Sequence, residues 1–168
     1  MAENTLQRTV WVDGTGSGFR VDVKVGPFTL VGDAGPEYGG KDTGPNPYDY
    51  LLISLGTCTA MTVNEYATSM KMPVEHVRVK LTHKSIYPRD CKDCHTKDGV
   101  IEELTTEIAV TGPITDDQKR VLLEAIEKCP VAKILTNEIK IRNKLVTGPG
   151  AHASLGAPAS EARTTPTA

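Results

Sequence analysis

The stretch PYDYLLISLGTCTAMTVNEYATSM, Pro47 to Met70, constrains this chain more than any other. It runs for more than twenty residues with no proline after its first, far longer than a strand of an ordinary sheet. Its apolar residues fall around most of a helical surface instead of along one stripe, and such a helix belongs inside a core. Pro47 suits a first helical turn, where a missing N–H costs nothing. Asp49 suits the positive end of the helix dipole, and Met72-Pro73 ends the run.

The segments around this helix read as strands and one further helix. TVWVDGTGSGFRVDVKV holds two alternating runs about a Gly-rich turn, a hairpin pattern. No helix-forming run follows GTGSG, so it is read as a turn and not as a phosphate loop. PFTLVGD supplies a third strand, and PEYGGKDTGPNP is a loop built of breakers. HVRVKLTHKSI alternates strictly, with Val77, Val79, Leu81 and His83 on one face. VIEELTTEIAV is its expected partner across the polar loop YPRDCKDCHTKDG. Thr115-Asp116-Asp117 opens a second helix, on which Leu122, Ala125, Ile126 and Cys129 recur at helical spacing before Pro130 breaks it. A short turn, VAKIL, leads to a last predicted strand, EIKIRNKLV. The expected organisation is one domain over residues 1–146. A Gly/Ala/Ser/Thr/Pro tail, 147–168, cannot bury enough apolar area to offset its ordering entropy and is expected to be disordered.

Composition narrows the class of function. With 168 residues, the chain can enclose a real core. A net charge of −2, and no basic run longer than two residues, point away from nucleic acid and anionic membranes. No segment reads as a membrane span, and the N-terminus lacks the basic-then-apolar layout of a signal peptide. The expected location is the cytoplasm, where thiols stay reduced. Its four cysteines are therefore expected to be reactive, metal-bound or buried instead of structural staples.

Two of the cysteines, Cys58 and Cys129, fall within the predicted helices and can share a seam if those helices pack together. They can be read as small core residues or as a reactive pair. A mid-helix thiol lacks the field of a helix N-terminus, and a thiol at a helix C-terminus is worse placed still. An active Cys58 would need a cation brought to it, and Arg8, Arg20 and Lys41 are the candidates.

GPNPYDYLLISLGTCTAMTV, followed much later by EKCPVAKIL, resembles the OsmC/Ohr family of osmotically inducible and organic hydroperoxide resistance proteins. Members carry G-[TP]-[NS]-P, then a helical cysteine twelve residues past the Asn, then a second helix ending in C-P-V. Here Cys58 lies twelve residues past Asn46, and Cys129-Pro130-Val131 completes the pattern. The likeness covers roughly residues 18 to 146. It implies an α+β fold with two central buried helices wrapped by antiparallel strands, and two chains intertwined as a homodimer.

It also implies a thiol peroxidase that reduces organic hydroperoxides to alcohols in oxidative stress defence. Cys58 would attack, Cys129 would resolve as a disulfide, and an external dithiol would reopen it, with no bound cofactor. Arg20, in the second strand of the hairpin, is the implied partner of the Cys58 thiolate. Peroxidase members carry Glu directly after N-P. Here that place is Tyr48, and the nearest carboxylate is Asp49, about 100° further round the helix. The alternative is a non-catalytic module in which the same fold holds an apolar ligand and both cysteines are core.

The motif CKDCH, Cys91 to His95, lies outside this shared pattern and marks a branch of the family with D-C-x-x-C in the loop between the middle strands. Its spacing admits zinc, with Cys91, Cys94 and His95 or His83 as ligands. It equally admits a redox dithiol or two reduced thiols in a polar turn. Covalent haem is disfavoured, because its attachment usually follows export and no second axial ligand is marked. His83 reads more simply as a satisfied core histidine.

Overall fold

The computed structural model describes residues 9–156. The chain divides into two compact units. One holds the described residues through Pro47 together with those from Arg142 onward, and the other is Tyr48–Ile141.

The first unit is an antiparallel three-stranded sheet, β1 (Trp11–Gly14), β2 (Val21–Val25) and β3 (Phe28–Gly32), in that order. The Gly-rich stretch joins β1 to β2 as a turn, with Gly16 and Gly18 at positive φ, as a hairpin requires. Asp33, buried just past β3, organises the breaker loop. Its carboxylate accepts hydrogen bonds from the N–H of Ala34 (2.8 Å), Thr43 (3.1 Å) and Lys41 (3.3 Å), and from the Thr43 hydroxyl (2.7 Å). Those donors, led by the Thr43 hydroxyl, hold its pKa down to about 2.

The second unit is built on α1 (Pro47–Ser69) and the hairpin of β4 (His76–Ile86) and β5 (Ile101–Thr111). Pairing runs from His76↔Thr111 to Ile86↔Ile101. The inward positions of β4 are Val77, Val79, Leu81 and His83, as the alternation predicts. Lys80–Glu107 and Lys84–Glu103 pair across the outer face; being exposed, they contribute little. Lys71 takes the left-handed conformation (φ 52°) after α1, and the Met72 N–H returns to the Ala67 carbonyl at 2.8 Å, ending the helix in a Schellman-like cap.

Thr115 caps α2 (Asp116–Ile126), accepting from the Gln118 N–H while the Gln118 side chain returns to the Thr115 N–H. Val63, Ala67 and Met72 meet Leu122 of α2 in a buried cluster, flanked by Val77 of β4 and Val110 of β5. Gly56 lets β4 come close to α1, since a Cβ there would lie 2.6 Å from Leu81 Cδ1.

Four expectations meet a different structure. The second helix does not run to Cys129: α2 stops at Ile126, and Pro130 opens a new helix, α3 (Pro130–Thr136), with Cys129 as its N-cap. The predicted last strand is absent, because residues 138–147 form no sheet pairing among the described residues, and a strand needs a ladder partner to satisfy its backbone. α1 is not enclosed all round, since Leu51, Ile53 and Met61 are exposed. The tail contains one helical turn, α4 (Ala151–Ser154), inside the stretch expected to be disordered; residues 157–168 lie outside the described chain. Among the described residues no helix is long and apolar enough to cross a membrane.

Candidate functional site

Cys58 and Cys129 are brought together. Cys58 stands mid-way along α1 and is half-buried, whereas Cys129 is fully buried. The Thr59 hydroxyl, next to Cys58, lies 3.9 Å from the Cys129 sulfur and can donate to it. Thr62, one turn on, bonds the Cys58 carbonyl at 2.9 Å. The apolar pattern of α1 explains the encounter. Leu55, Thr59, Thr62 and Val63 share the buried side, and Leu122 of α2 packs in the cluster with Val63.

The unexpected member of this site is the start of α3. At the end of α2, Cys129 would face carbonyls, which disfavour a thiolate. As N-cap of α3 it faces amides instead. Burial pushes the Cys129 thiol up, but the Ala132 N–H, the Cys58 thiol, the Thr59 hydroxyl and the Val131 N–H outweigh it, and the net direction is down. These amides act without forming a full side-chain cap bond. Cys58 moves the other way. Burial raises it, the Val131 N–H lowers it, and the charge and hydrogen-bonding demand of Cys129 raise it further. The surroundings thus favour charge on Cys129 and oppose it on Cys58.

The remaining predicted residues are placed as follows. Arg20 lies in the first unit, where its guanidinium donates to Asp22 (2.8 Å) and to the Thr43 hydroxyl (3.3 Å). Asp49 is half-buried in the first turn of α1. Tyr48, directly after Asn46-Pro47, stacks on His83 with centroids 5.0 Å apart and planes 13° from parallel. His83 Nε2 also meets Glu102 at 2.6 Å, so this histidine is satisfied where it stands.

Cys91 and Cys94 are not reduced thiols: they form a disulfide, with Cα atoms 5.6 Å apart. A disulfide has no thiolate to offer zinc. The donors gathered at this point are Cys91, Asp93 and Cys94, with their ligand atoms within 4.8 Å of one another. His95 is exposed and is not among them.

Sequence alone missed Asp93 beside the sulfurs and the amides of Val131 and Ala132. The second had a legible signal, since Cys-Pro can open a helix as readily as close one.

Comparison with known proteins supports the fold reading. The family model described as OsmC-like protein matches residues 40–144. No curated protein matches the sequence. Among solved structures, an OsmC-like protein from Mycoplasma pneumoniae superposes with a TM-score of 0.59 at 18% identity, covering 77% of this chain and 86% of its own. An organic hydroperoxide resistance protein from Elizabethkingia anophelis gives 0.60 at 16% identity, covering 82% and 94%. An organic hydroperoxide resistance protein OsmC from Legionella pneumophila gives 0.57 at 17% identity, covering 79% and 90%. With both motif cysteines brought together and the family match spanning most of the chain, this protein belongs to the OsmC-like family.

Proposed function

We propose that the protein is a thiol peroxidase for organic hydroperoxides, with Cys58 as the attacking residue and Cys129 as both proton relay and resolving thiol. One observation carries this reading: a half-buried Cys58 on α1 is brought to a fully buried Cys129, which the Thr59 hydroxyl approaches at 3.9 Å and which stands at the N-cap of α3. Two inert core cysteines would need no such environment. Relatives of this fold named as organic hydroperoxide resistance proteins support the substrate class.

The chemistry balances as follows. Cys58 passes its proton to the Cys129 thiolate and attacks the outer oxygen of ROOH. The O–O bond breaks, Cys58 becomes a sulfenic acid, and the departing alkoxide takes the proton from Cys129 to leave as ROH. The restored Cys129 thiolate then attacks the Cys58 sulfur. A disulfide forms and hydroxide leaves, to be protonated to water. An external dithiol reduces that disulfide by exchange. Arg20 is assigned as the cation that favours Cys58 ionisation, and Asp49 as the carboxylate that orients it. Catalysis with Arg20→Ala, compared with Arg20→Lys, tests that assignment.

The working unit is proposed to be a homodimer. Residues 138–146 alternate like a strand but pair with no strand among the described residues, and Ile139, Ile141 and Leu145 are exposed along them. The uncovered Leu51, Ile53 and Met61 of α1 add a second apolar area for the other copy.

A second reading, ligand holding without chemistry, draws on one feature. A groove of about 410 Å³ between α1 and β4 is lined by Leu52, Gly56, Ala60, Val79 and Leu81. Gly56 and Ala60 stand roughly 160° around the helix from Cys58, so a ligand there would not touch the thiols. Dithiol-dependent consumption of tert-butyl hydroperoxide separates the readings. Turnover in the wild type and none in Cys58→Ser is expected; no turnover in either would leave the binding module.

A further inference from the structure

The loop at the tip of the β4–β5 hairpin holds a sulfur pair that the peroxidase chemistry does not use. Cys91 follows a 3-10 turn, Pro88–Asp90, and its N–H bonds the Pro88 carbonyl at 3.2 Å. Lys92 and Asp93 between the two cysteines are exposed, and both cysteines are half-exposed. Asp93 Oδ1 lies 3.4 Å from the Cys91 sulfur.

A disulfide in this position is poorly suited to a structural role. It spans a sequence separation of three, and the unfolded-state entropy removed by a crosslink grows with the loop it closes. The hairpin is already closed by continuous pairing out to Ile86↔Ile101, and no buried residue lies in the loop for the bond to brace. What remains is a half-exposed S–S bond that an external thiol can reach for exchange.

We propose that Cys91 and Cys94 form a second redox centre, a dithiol–disulfide couple that exchanges two electrons with an external dithiol independently of Cys58 and Cys129. In the reducing direction a thiolate of the external dithiol attacks the Cys91 sulfur. The Cys91–Cys94 bond breaks and a mixed disulfide forms. Cys94 is the leaving thiolate, and it then takes a proton. The second thiol of the reductant attacks the mixed disulfide, freeing Cys91 and leaving the reductant as its own disulfide. Two electrons and two protons have moved to the protein. The reverse sequence reduces a disulfide partner.

The test equilibrates the full-length protein in a series of reduced and oxidised dithiothreitol and glutathione buffers. Free thiols are then alkylated, and the Cys91–Cys94 peptide is followed by mass spectrometry. The expected result is reversible conversion within that range, with both cysteines moving together, and the same midpoint in Cys58→Ser. Two results would overturn the proposal. A pair that resists reduction until the fold is lost would be a structural crosslink. A reduced pair that takes up one equivalent of added zinc and then fails to reoxidise would be a metal site. The Cys58–Cys129 peptides are read separately in the same digest, so failure here is distinct from failure of the peroxidase reading.

Discussion

The Thr59 hydroxyl stands 3.9 Å from the Cys129 sulfur, linking the middle of α1 to the residue that caps α3. Thr59 is itself only 2% exposed, so water does not compete for its hydroxyl. Thr59→Val keeps the shape and removes the donor. Because Cys129 is held below the ordinary thiol value of 9.0, hydroperoxide reactivity should persist at neutral pH and fall as pH drops through the lowered value. In Thr59→Val that fall should move to higher pH, with a loss of about fivefold at neutral pH, the equivalent of ~1 kcal/mol. Thiolate absorbance at 240 nm against pH, alongside the rate of hydroperoxide consumption, checks both.

Asp33 sets the acid limit of the first unit. Its folded pKa, about 2, lies below the ordinary 3.8, so the unfolded chain binds its proton more readily. The stability it gives is complete above pH 4–5 and is lost as pH falls through about 2. Trp11, in β1, is the only tryptophan and reports on this unit. Asp33→Asn should flatten the loss of stability below pH 4 while lowering stability at pH 7. Trp11 fluorescence during urea titration at several pH values would show it.

Gly112 stands at the turn out of β5 with φ +123°, and a Cβ there would collide with the Pro73 carbonyl oxygen. Both the backbone conformation and the obstacle resist change, since a carbonyl cannot rotate aside like a side-chain tip. Gly112→Ala should cost roughly 2–3 kcal/mol. Chemical denaturation of the variant and the wild type measures the difference directly.

Ile141 is 79% exposed in a single chain, and the proposed dimer covers it. Ile141→Asp should turn a dimeric mass into a monomeric one in light scattering while the far-UV spectrum stays nearly unchanged. A wild type that is already monomeric would remove the dimer from the account.

Local signals made the hairpin and the long helix legible. β4 and β5 alternate with period two, and α1 carries no proline after Pro47. The thiol pair was legible through the family pattern of Asn46, Cys58 and Cys129-Pro130-Val131. What could not be read was direction. Pro130 both closes one helix and opens another, and only the fold shows that Cys129 faces the amides of Val131 and Ala132. EIKIRNKLV alternates as a strand should, yet pairing is a property of two segments and the described residues offer no second one. Compartment reasoning favoured reduced thiols at Cys91 and Cys94, whereas their loop brings the two Cα atoms to a separation that suits a disulfide.

The most direct test of the central claim is a single-equivalent reaction. Reduced protein is mixed with one equivalent of cumene hydroperoxide, quenched with an alkylating agent, and mapped under non-reducing conditions. The account predicts rapid formation of a Cys58–Cys129 disulfide, and its absence in Cys58→Ser. Recovery of both residues as alkylated thiols, with the hydroperoxide unconsumed, would contradict it.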